Sequence, residues 1–264
     1  MGYINLALRM AREAGELIRE YVDGEFTVEE KSSKVDLVTE VDQKSENFIR
    51  NRIHEYYPDH KIVGEEGVAG GDDLNVIAES DDYIWIIDPI DGTTNFVHGL
   101  PGYTVSIALS YKKEVILGVI YDPTLDEMFW AEKGKGSFLN SKRMTVSEKD
   151  HMEGCVLATG YPSDVEGDRA KVIENIHALG PVCSNIRTFG SAALHLAYTA
   201  SGRMEGFWEH GLNVWDVAAG YLIVKEAGGA ATAITGEAYS LTTRGIVASN
   251  GNIHENLIES INEN

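Results

Sequence analysis

The stretch Tyr83-Ile84-Trp85-Ile86-Ile87-Asp88-Pro89-Ile90-Asp91-Gly92-Thr93-Thr94 decides how the chain is read. Tyr83 to Ile87 is a continuous apolar run, aromatic and β-branched, and predicts a strand buried on both faces. Pro89 is expected to break that strand, since proline offers no N–H to a ladder. Asp88 then stands at the carboxyl end of a core strand, where α/β folds place ligands. Asp91 follows three residues later, on the turn. Gly92, Thr93 and Thr94 would open a following helix or turn with their N–H groups toward an anion. The segment therefore joins two hard oxygen ligands for a cation to an anion cradle, the combination that magnesium phosphoester chemistry uses. The same residues also describe a capped helix with Asp91 as N-cap. An aspartate directly after an apolar strand, with a second three residues on, favours the site.

Ile4, Ala7, Leu8, Ala11, Ala14, Leu17, Ile18 and Tyr21 recur at helical spacing. Val38 to Tyr57 reads as a second helix, capped by Thr39 and stopped by Pro58. Lys61 to Val63 predicts a short strand ending at Gly64-Glu65-Glu66, and residues 67–82 a Gly- and Asp-rich loop. Tyr103 to Trp130 reads as strand, turn, strand, strand, with turns at Tyr111-Lys112-Lys113-Glu114 and Tyr121-Asp122-Pro123-Thr124. Beyond about residue 150, short strands (Cys155 to Thr159, Asn185 to Arg187, Gly206 to Trp208) alternate with helices (Asp168 to Leu179, Ala192 to Ala200, Val214 to Ala227). The expected division is an N-terminal α+β half, residues 1–145, and a C-terminal α/β half, residues 146–264.

Two further acids stand in informative places. Glu65 ends a short strand, and Asp216, in Asn213-Val214-Trp215-Asp216, lies in the first turn of an apolar helix. Singly, each also reads as a surface turn or a complement to a helix dipole. If Glu65, Asp88, Asp91 and Asp216 converge, the arithmetic changes. Two like charges 4 Å apart cost roughly 4 kcal/mol at an effective dielectric near 20. Four such charges require protonation or divalent cations, and an all-oxygen set selects Mg²⁺ over Zn²⁺.

Bulk properties bound the partners. The 264 residues are 43% hydrophobic and 24% charged, as in ordinary globular proteins. The formal net charge of −20 opposes nucleic acid and anionic membrane surfaces. Cys155 and Cys183 lack any metal or redox spacing and are expected as buried free thiols. The N-terminus has no signal-peptide pattern and no stretch suits a bilayer, so a cytoplasmic location is the default expectation.

Asp42 in Asp36-Leu37-Val38-Thr39-Glu40-Val41-Asp42, Gly64-Glu65-Glu66, Asp88 to Thr94 and Trp215-Asp216 to Gly220 resemble, in order, the motifs of the inositol monophosphatase family. Gly134 to Asn140 and Arg187 to Ala192 are similar to further family segments. The resemblance implies a layered α-β-α-β-α sandwich of the sugar phosphatase type and a small phosphomonoester, inositol monophosphate foremost, as substrate. Fructose-1,6-bisphosphatase, NADP phosphatase and nucleotide bisphosphate phosphatase activities remain alternatives, and a non-catalytic regulatory relative is another. It further implies two or three Mg²⁺ ions, with Glu65, Asp88 and the Ile90 carbonyl at the first, Asp88, Asp91 and Asp216 at the second, and Glu65 helping with a third. Thr93, oriented by Asp42, would align the attacking water together with Glu65. Gly92 and Thr93 N–H groups would hold the phosphate, Asp91 would approach the leaving group, and Glu209 and the Ala192 region would contact sugar hydroxyls. Lys31 resembles a lysine near the metal mouth. Lithium sensitivity and a homodimer are implied as well.

Overall fold

The computed structural model describes all residues except 23, 25, 31–36, 70, 72, 165, 263 and 264. The N-terminal elements are α1 (Tyr3–Glu20), β1 (Val28–Glu30), β2 (Leu37–Thr39), α2 (Glu40–Tyr56), β3 (Lys61–Gly64), α3 (Glu65–Ala69), α4 (Asn75–Glu79), β4 (Ile84–Asp91), α5 (Thr93–Val97), β5 (Thr104–Tyr111), β6 (Glu114–Asp122), β7 (Glu127–Glu132), β8 (Gly136–Leu139) and β9 (Lys142–Met144). There follow β10 (Val156–Thr159), α6 (Asp168–Leu179), β11 (Asn185–Arg187), α7 (Ala192–Ala200), β12 (Gly206–His210), α8 (Val214–Glu226), β13 (Ala230–Thr232), β14 (Gly245–Ser249) and α9 (His254–Asn262).

Strands β3 to β9 form a seven-stranded sheet in chain order, parallel only between β3 and β4. The second sheet has five strands in the order β11-β10-β12-β14-β13. Side-chain alternation across these strands builds the layers. On β4, Trp85 and Ile87 face α1 and α2, packing with Met10, Ile18, Ile49 and Ile53. Ile84 and Ile86 face the opposite way, into a core shared with α7 and α8. That core also takes Phe207, Ile246 and Ala248 from the second sheet. Trp208 and Val247 point out the far side, against Leu179 of α6 and Leu257 and Ile261 of α9. The result is the expected α-β-α-β-α sandwich. Helix α8 lies in the middle layer and is apolar nearly all round, which burial on both sides demands.

Three local expectations need correction. The strand β4 continues through Pro89 to Asp91, because the register slips between Asp88 and Asp91 in a bulge. A bulge is where a sheet tolerates a residue without an N–H. The expected loop at 67–82 contains the end of α3 and the short helix α4, which buries Ile77 against the core. Asp91 is not an N-cap: Gly92 occupies that position of α5, with φ +96° and no side-chain cap. Helix α2, by contrast, starts as read, with Thr39 and Asp42 forming a reciprocal capping box. Both cysteines are free, Cys155 buried and Cys183 half-buried.

Candidate active site

Sheet register explains why distant acids meet. Strands β3 and β4 run parallel with Gly64 opposite Ile87, so Glu65 and Asp88 leave the sheet side by side at the same edge. Across β4, Asp88 is paired with Ser106 of β5. The Ser106 hydroxyl donates to the Trp215 carbonyl at 3.3 Å, which brings the first turn of α8, and with it Asp216, against Asp88. Past the bulge, Asp91 is paired with Thr104, whose hydroxyl lies 3.2 Å from that of Ser191. Ser191 caps α7 by accepting the Leu194 N–H at 3.0 Å.

Each acid is held by its own donors. Asp91 Oδ2 accepts from Ser191 Oγ and from the Ala193 N–H, both at 2.6 Å. Asp216 Oδ2 accepts the Asn213 N–H at 2.6 Å in a second capping box. Asp88 Oδ1 accepts the Ile90 N–H at 3.1 Å. The carboxyl groups of Asp88 and Asp216 are hydrogen-bonded to each other. Among the described residues, no three acidic, histidine or cysteine side chains surround one point as a ligand cage. The acids line a shared wall instead.

That wall is electrostatically costly. Asp91 and Asp216 open on a cleft, yet dense protein surrounds them. Burial pushes the Asp91 carboxyl up to about 6, and the nearby Glu65 adds to the rise. Burial raises Asp216 well above the usual carboxylate range, with Asp91 and Glu65 adding repulsion. Glu209, on β12, is raised well above its usual value by burial and then by Asp216 and Asp91. Among the described residues, none of the strongest influences on these three acids is a cation. An all-oxygen, mutually repelling donor set fits a hard divalent cation.

Beside the acids, Thr93 Oγ1 donates to Asp42 Oδ1 at 3.1 Å and to the Ile90 carbonyl at 2.9 Å. Asp42 is buried and anchored through its other oxygen to Thr39 N–H (2.8 Å) and Oγ1 (2.5 Å). Gly92 turns the chain here. A Cβ on it would meet the Gly102 carbonyl at 2.8 Å and that of Gly190 at 3.1 Å, so the turn admits no side chain.

The cleft has a volume of about 460 Å³. Asp91, Asp216, Glu209, Ala192 and Gly160 line its inner part, and Tyr161, Arg169 and Thr188 its mouth. Gly160 leaves room for the Glu209 carboxylate, which a Cβ there would strike at 2.3 Å. The structure thus gathers Asp42, Glu65, Asp88, Ile90, Asp91, Gly92, Thr93 and Asp216 at one edge of the first sheet and faces them with Ala192 and Glu209 from the second half. Lys31 lies outside the described residues. Arg187 turns back to its own strand, bonding Asn185 and the Ile186 carbonyl.

Sequence reasoning missed Ser191, His195, Asn95, Tyr161 and Arg169. Ser191 could have been found, since a serine before an apolar helical run is an N-cap signal. Asn95 ties the carbonyls of Pro101, Gly102 and Phe189 together. His195 is buried and accepts the Phe189 N–H at 2.8 Å, fixing the 188–190 wall of the cleft. Nothing in their spacing announces either role.

The profile of the inositol monophosphatase family matches residues 3–264. The chain belongs to the inositol monophosphatase family. It is 43% identical to the Nus factor SuhB of Pseudomonas aeruginosa, over 98% of this chain and 95% of that protein. It is 39% identical to the fructose-1,6-bisphosphatase/inositol-1-monophosphatase of Thermotoga maritima, over 100% of this chain and 97% of that one. A solved structure of a Thermotoga maritima IMPase superposes with a TM-score of 0.89 at 38% identity, covering 100% of this chain and 98% of that one. Among the described residues, no helix is long and apolar enough to cross a membrane.

Proposed function

We propose that this protein is a phosphoric monoester hydrolase that uses Mg²⁺ to release phosphate from a small sugar-alcohol phosphate, inositol monophosphate foremost. The observation that carries the reading is the wall lined by Glu65, Asp88, Asp91 and Asp216, where burial and mutual repulsion raise Asp91 and Asp216, next to the Thr93–Asp42 pair. Glu65, Asp88 and the Ile90 carbonyl would hold one ion; Asp88, Asp91 and Asp216 a second; Glu65 would help with a third, weaker one. When bound, the ions supply positive charge to the phosphoryl group and leaving oxygen and lower the pKa of nearby water.

The chain's own groups do the positioning. Thr93 shares its hydroxyl proton between Asp42 and the Ile90 carbonyl, so its oxygen lone pairs face the open side and can orient a water. Glu65 sets that water from the other side. The Gly92 and Thr93 N–H groups, exposed by a turn that excludes a side chain, hold phosphate oxygens. Asp91 stands toward the leaving group. Glu209 and the Ala192 backbone meet the hydroxyls of the alcohol, a role that suits a buried carboxyl at the inner cleft.

Tyr161 and Arg169 favour a second reading for the alcohol. An aromatic ring and a guanidinium at the cleft mouth suit a leaving group with a second phosphate, as in a sugar or nucleotide bisphosphate. One relative is named for both bisphosphate and inositol monophosphate hydrolysis. The net charge of −20 opposes direct contact with nucleic-acid phosphates, so no such contact is carried over from the Nus factor relative. A cytoplasmic homodimer is part of the proposal, and a sizing measurement checks the dimer. The central test is phosphate release from a panel of monophosphates and bisphosphates with and without Mg²⁺. Release that is indifferent to divalent cations, or absent for the whole panel, refutes the reading.

A further inference from the structure

Glu46 is a buried carboxyl with no place among the cation ligands or the phosphate contacts. It belongs to a polar stripe on α2. Asp42, Ser45 and Glu46 are all buried, at the i, i+3 and i+4 positions that share one helix face. A helix face turned to a sheet is ordinarily apolar. This one meets the carboxyl ends of β3 and β4 with hydrogen bonds. Asp42 Oδ1 accepts from Thr93 Oγ1. Ser45 Oγ donates to the Pro89 carbonyl, in the β4 bulge, at 3.4 Å. Glu46 Oε2 accepts the Glu66 N–H, in the first turn of α3, at 2.9 Å.

The Glu46 carboxylate sits against the β3–α3 junction. A Cβ on Gly64, the last residue of β3, would meet the carboxylate carbon and both of its oxygens at 2.5 Å. Oε1 accepts from Arg50 Nε at 2.7 Å, one turn along α2, and Arg50 supplies the countercharge that a buried carboxylate needs. Glu65 lies between Gly64 and Glu66, so both of its chain neighbours are seated on this carboxylate. Glu65 and Thr93 are thereby referred to a single helix, Glu65 through Glu46 and Thr93 through Asp42, four residues apart. A buried ion pair often contributes no more stability than an apolar pair of the same volume. What the carboxylate adds here is direction, because it takes the Glu66 N–H from one fixed side.

We propose that Glu46 is a positioning residue that fixes Glu65 relative to the Thr93 hydroxyl, so that the hydrolytic water is aligned before substrate arrives. The assignment rests on the phosphatase reading above, in which Glu65 and Thr93 flank that water. Glu46 acts through the backbone of residues 64–66 and touches neither substrate nor water. Groups that orient a ligand in this way contribute about ten- to a hundredfold to metal affinity or activity. Glutamine does not replace it. Its amide presents an oxygen to one of the two donors, the Glu66 N–H or Arg50 Nε, and an NH₂ group to the other.

The test compares Glu46→Gln with Glu205→Gln in the full chain. Glu205 is a control of the same build, buried, with Oε2 accepting the Val156 N–H at 2.7 Å and Oε1 3.3 Å from Lys149 Nζ. Kinetics on the best substrate of the phosphate panel, calorimetric titration with Mg²⁺ and thermal melts are measured for each. Both variants should melt below the parent. Glu46→Gln is expected to lower kcat by about tenfold or more, with KM within about twofold, and to weaken Mg²⁺ binding severalfold. Glu205→Gln should leave kcat, KM and Mg²⁺ binding unchanged. Gly64→Ala keeps Glu46 but displaces its carboxylate, so it should reproduce the losses in kcat and Mg²⁺ affinity. The double variant Gly64→Ala/Glu46→Gln should be no worse than the worse single, because both break one contact. With an active parent, an unchanged kcat in Glu46→Gln or Gly64→Ala, an equal kcat loss in Glu205→Gln, or additive losses in the double variant overturns the assignment and leaves the phosphatase reading standing. A parent without Mg²⁺-dependent turnover refutes that reading, and the assignment falls with it.

Discussion

The Thr93 hydroxyl lies 3.1 Å from Asp42 Oδ1, although the two residues are 51 positions apart. One comes from the turn after the central strand and the other from the first turn of α2. The second Asp42 oxygen is spent on the Thr39 cap, so the aspartate is locked before it meets Thr93. Such a pair orients a hydroxyl. Thr93→Val, which keeps the shape and removes the oxygen, is expected to lower kcat by about 10²-fold with little change in KM, as for loss of a group acting only in the transition state. Asp42→Asn should lower kcat similarly and also weaken the α2 cap by about 1 kcal/mol. Steady-state kinetics with thermal melts separate the two, and unchanged kcat in Thr93→Val contradicts the assignment.

Asp91→Asn should abolish most activity while the fold survives, because an amide oxygen can still accept from Ser191 and Ala193. The sign of its stability effect depends on pH. The folded-state pKa is raised, to about 6 from 3.8, so between these values the native state holds more protons than the unfolded chain. Native stability is then lost as pH rises through that window. The penalty reaches about 3 kcal/mol above pH 7 in the metal-free protein. The neutral variant escapes it. Without cation, Asp91→Asn should therefore match the parent near pH 4 and melt several degrees higher at pH 7.5. With Mg²⁺ the parent should recover most of the difference. Near-normal turnover of the variant in excess Mg²⁺ refutes the ligand role.

Much of this was legible in the sequence because it is local. The run Tyr83 to Ile87, the Thr39 cap and the alternation after residue 150 each depend on neighbours in the chain. The bulge that carries β4 through Pro89 was not legible, since it is decided by how β5 pairs alongside. Strand β14 sits between β12 and β13, so its place comes from long-range pairing that periodicity does not encode. In the site, the acids could be nominated by type and position. The bond from Ser191 to Asp91 spans 100 residues and follows only from the packing of α7 on the sheet edge. The hydrogen-bond ties that spread the acids along a wall were equally hidden.

Gly92 offers a test of the phosphate cradle. Its φ of +96° is strained for any L-residue, and an added Cβ would press on two carbonyl oxygens. Gly92→Ala is expected to destabilise the protein by about 1–3 kcal/mol through the backbone alone. It should also raise KM for every substrate by displacing the N–H groups that face the phosphate. Denaturant melts and KM values across the panel measure both effects. A KM change confined to one alcohol argues against a phosphate cradle.

Glu209 tests the other end of the substrate. Its carboxyl is buried beside Asp216 and Asp91, in a slot that Gly160 keeps open, and it lines the inner cleft. If it meets hydroxyls of the alcohol, its contribution belongs to substrates that carry them. A hydrogen bond to a charged group contributes about 1.5–3 kcal/mol, or roughly ten- to a hundredfold in kcat/KM. Glu209→Gln should therefore lower kcat/KM for inositol monophosphate by at least tenfold and leave that for phenyl phosphate within about twofold. Removing a buried acid from a repelling wall should not lower stability, so a melt at or above the parent's is expected in the metal-free protein. An equal loss on both substrates would place Glu209 with the cation site instead.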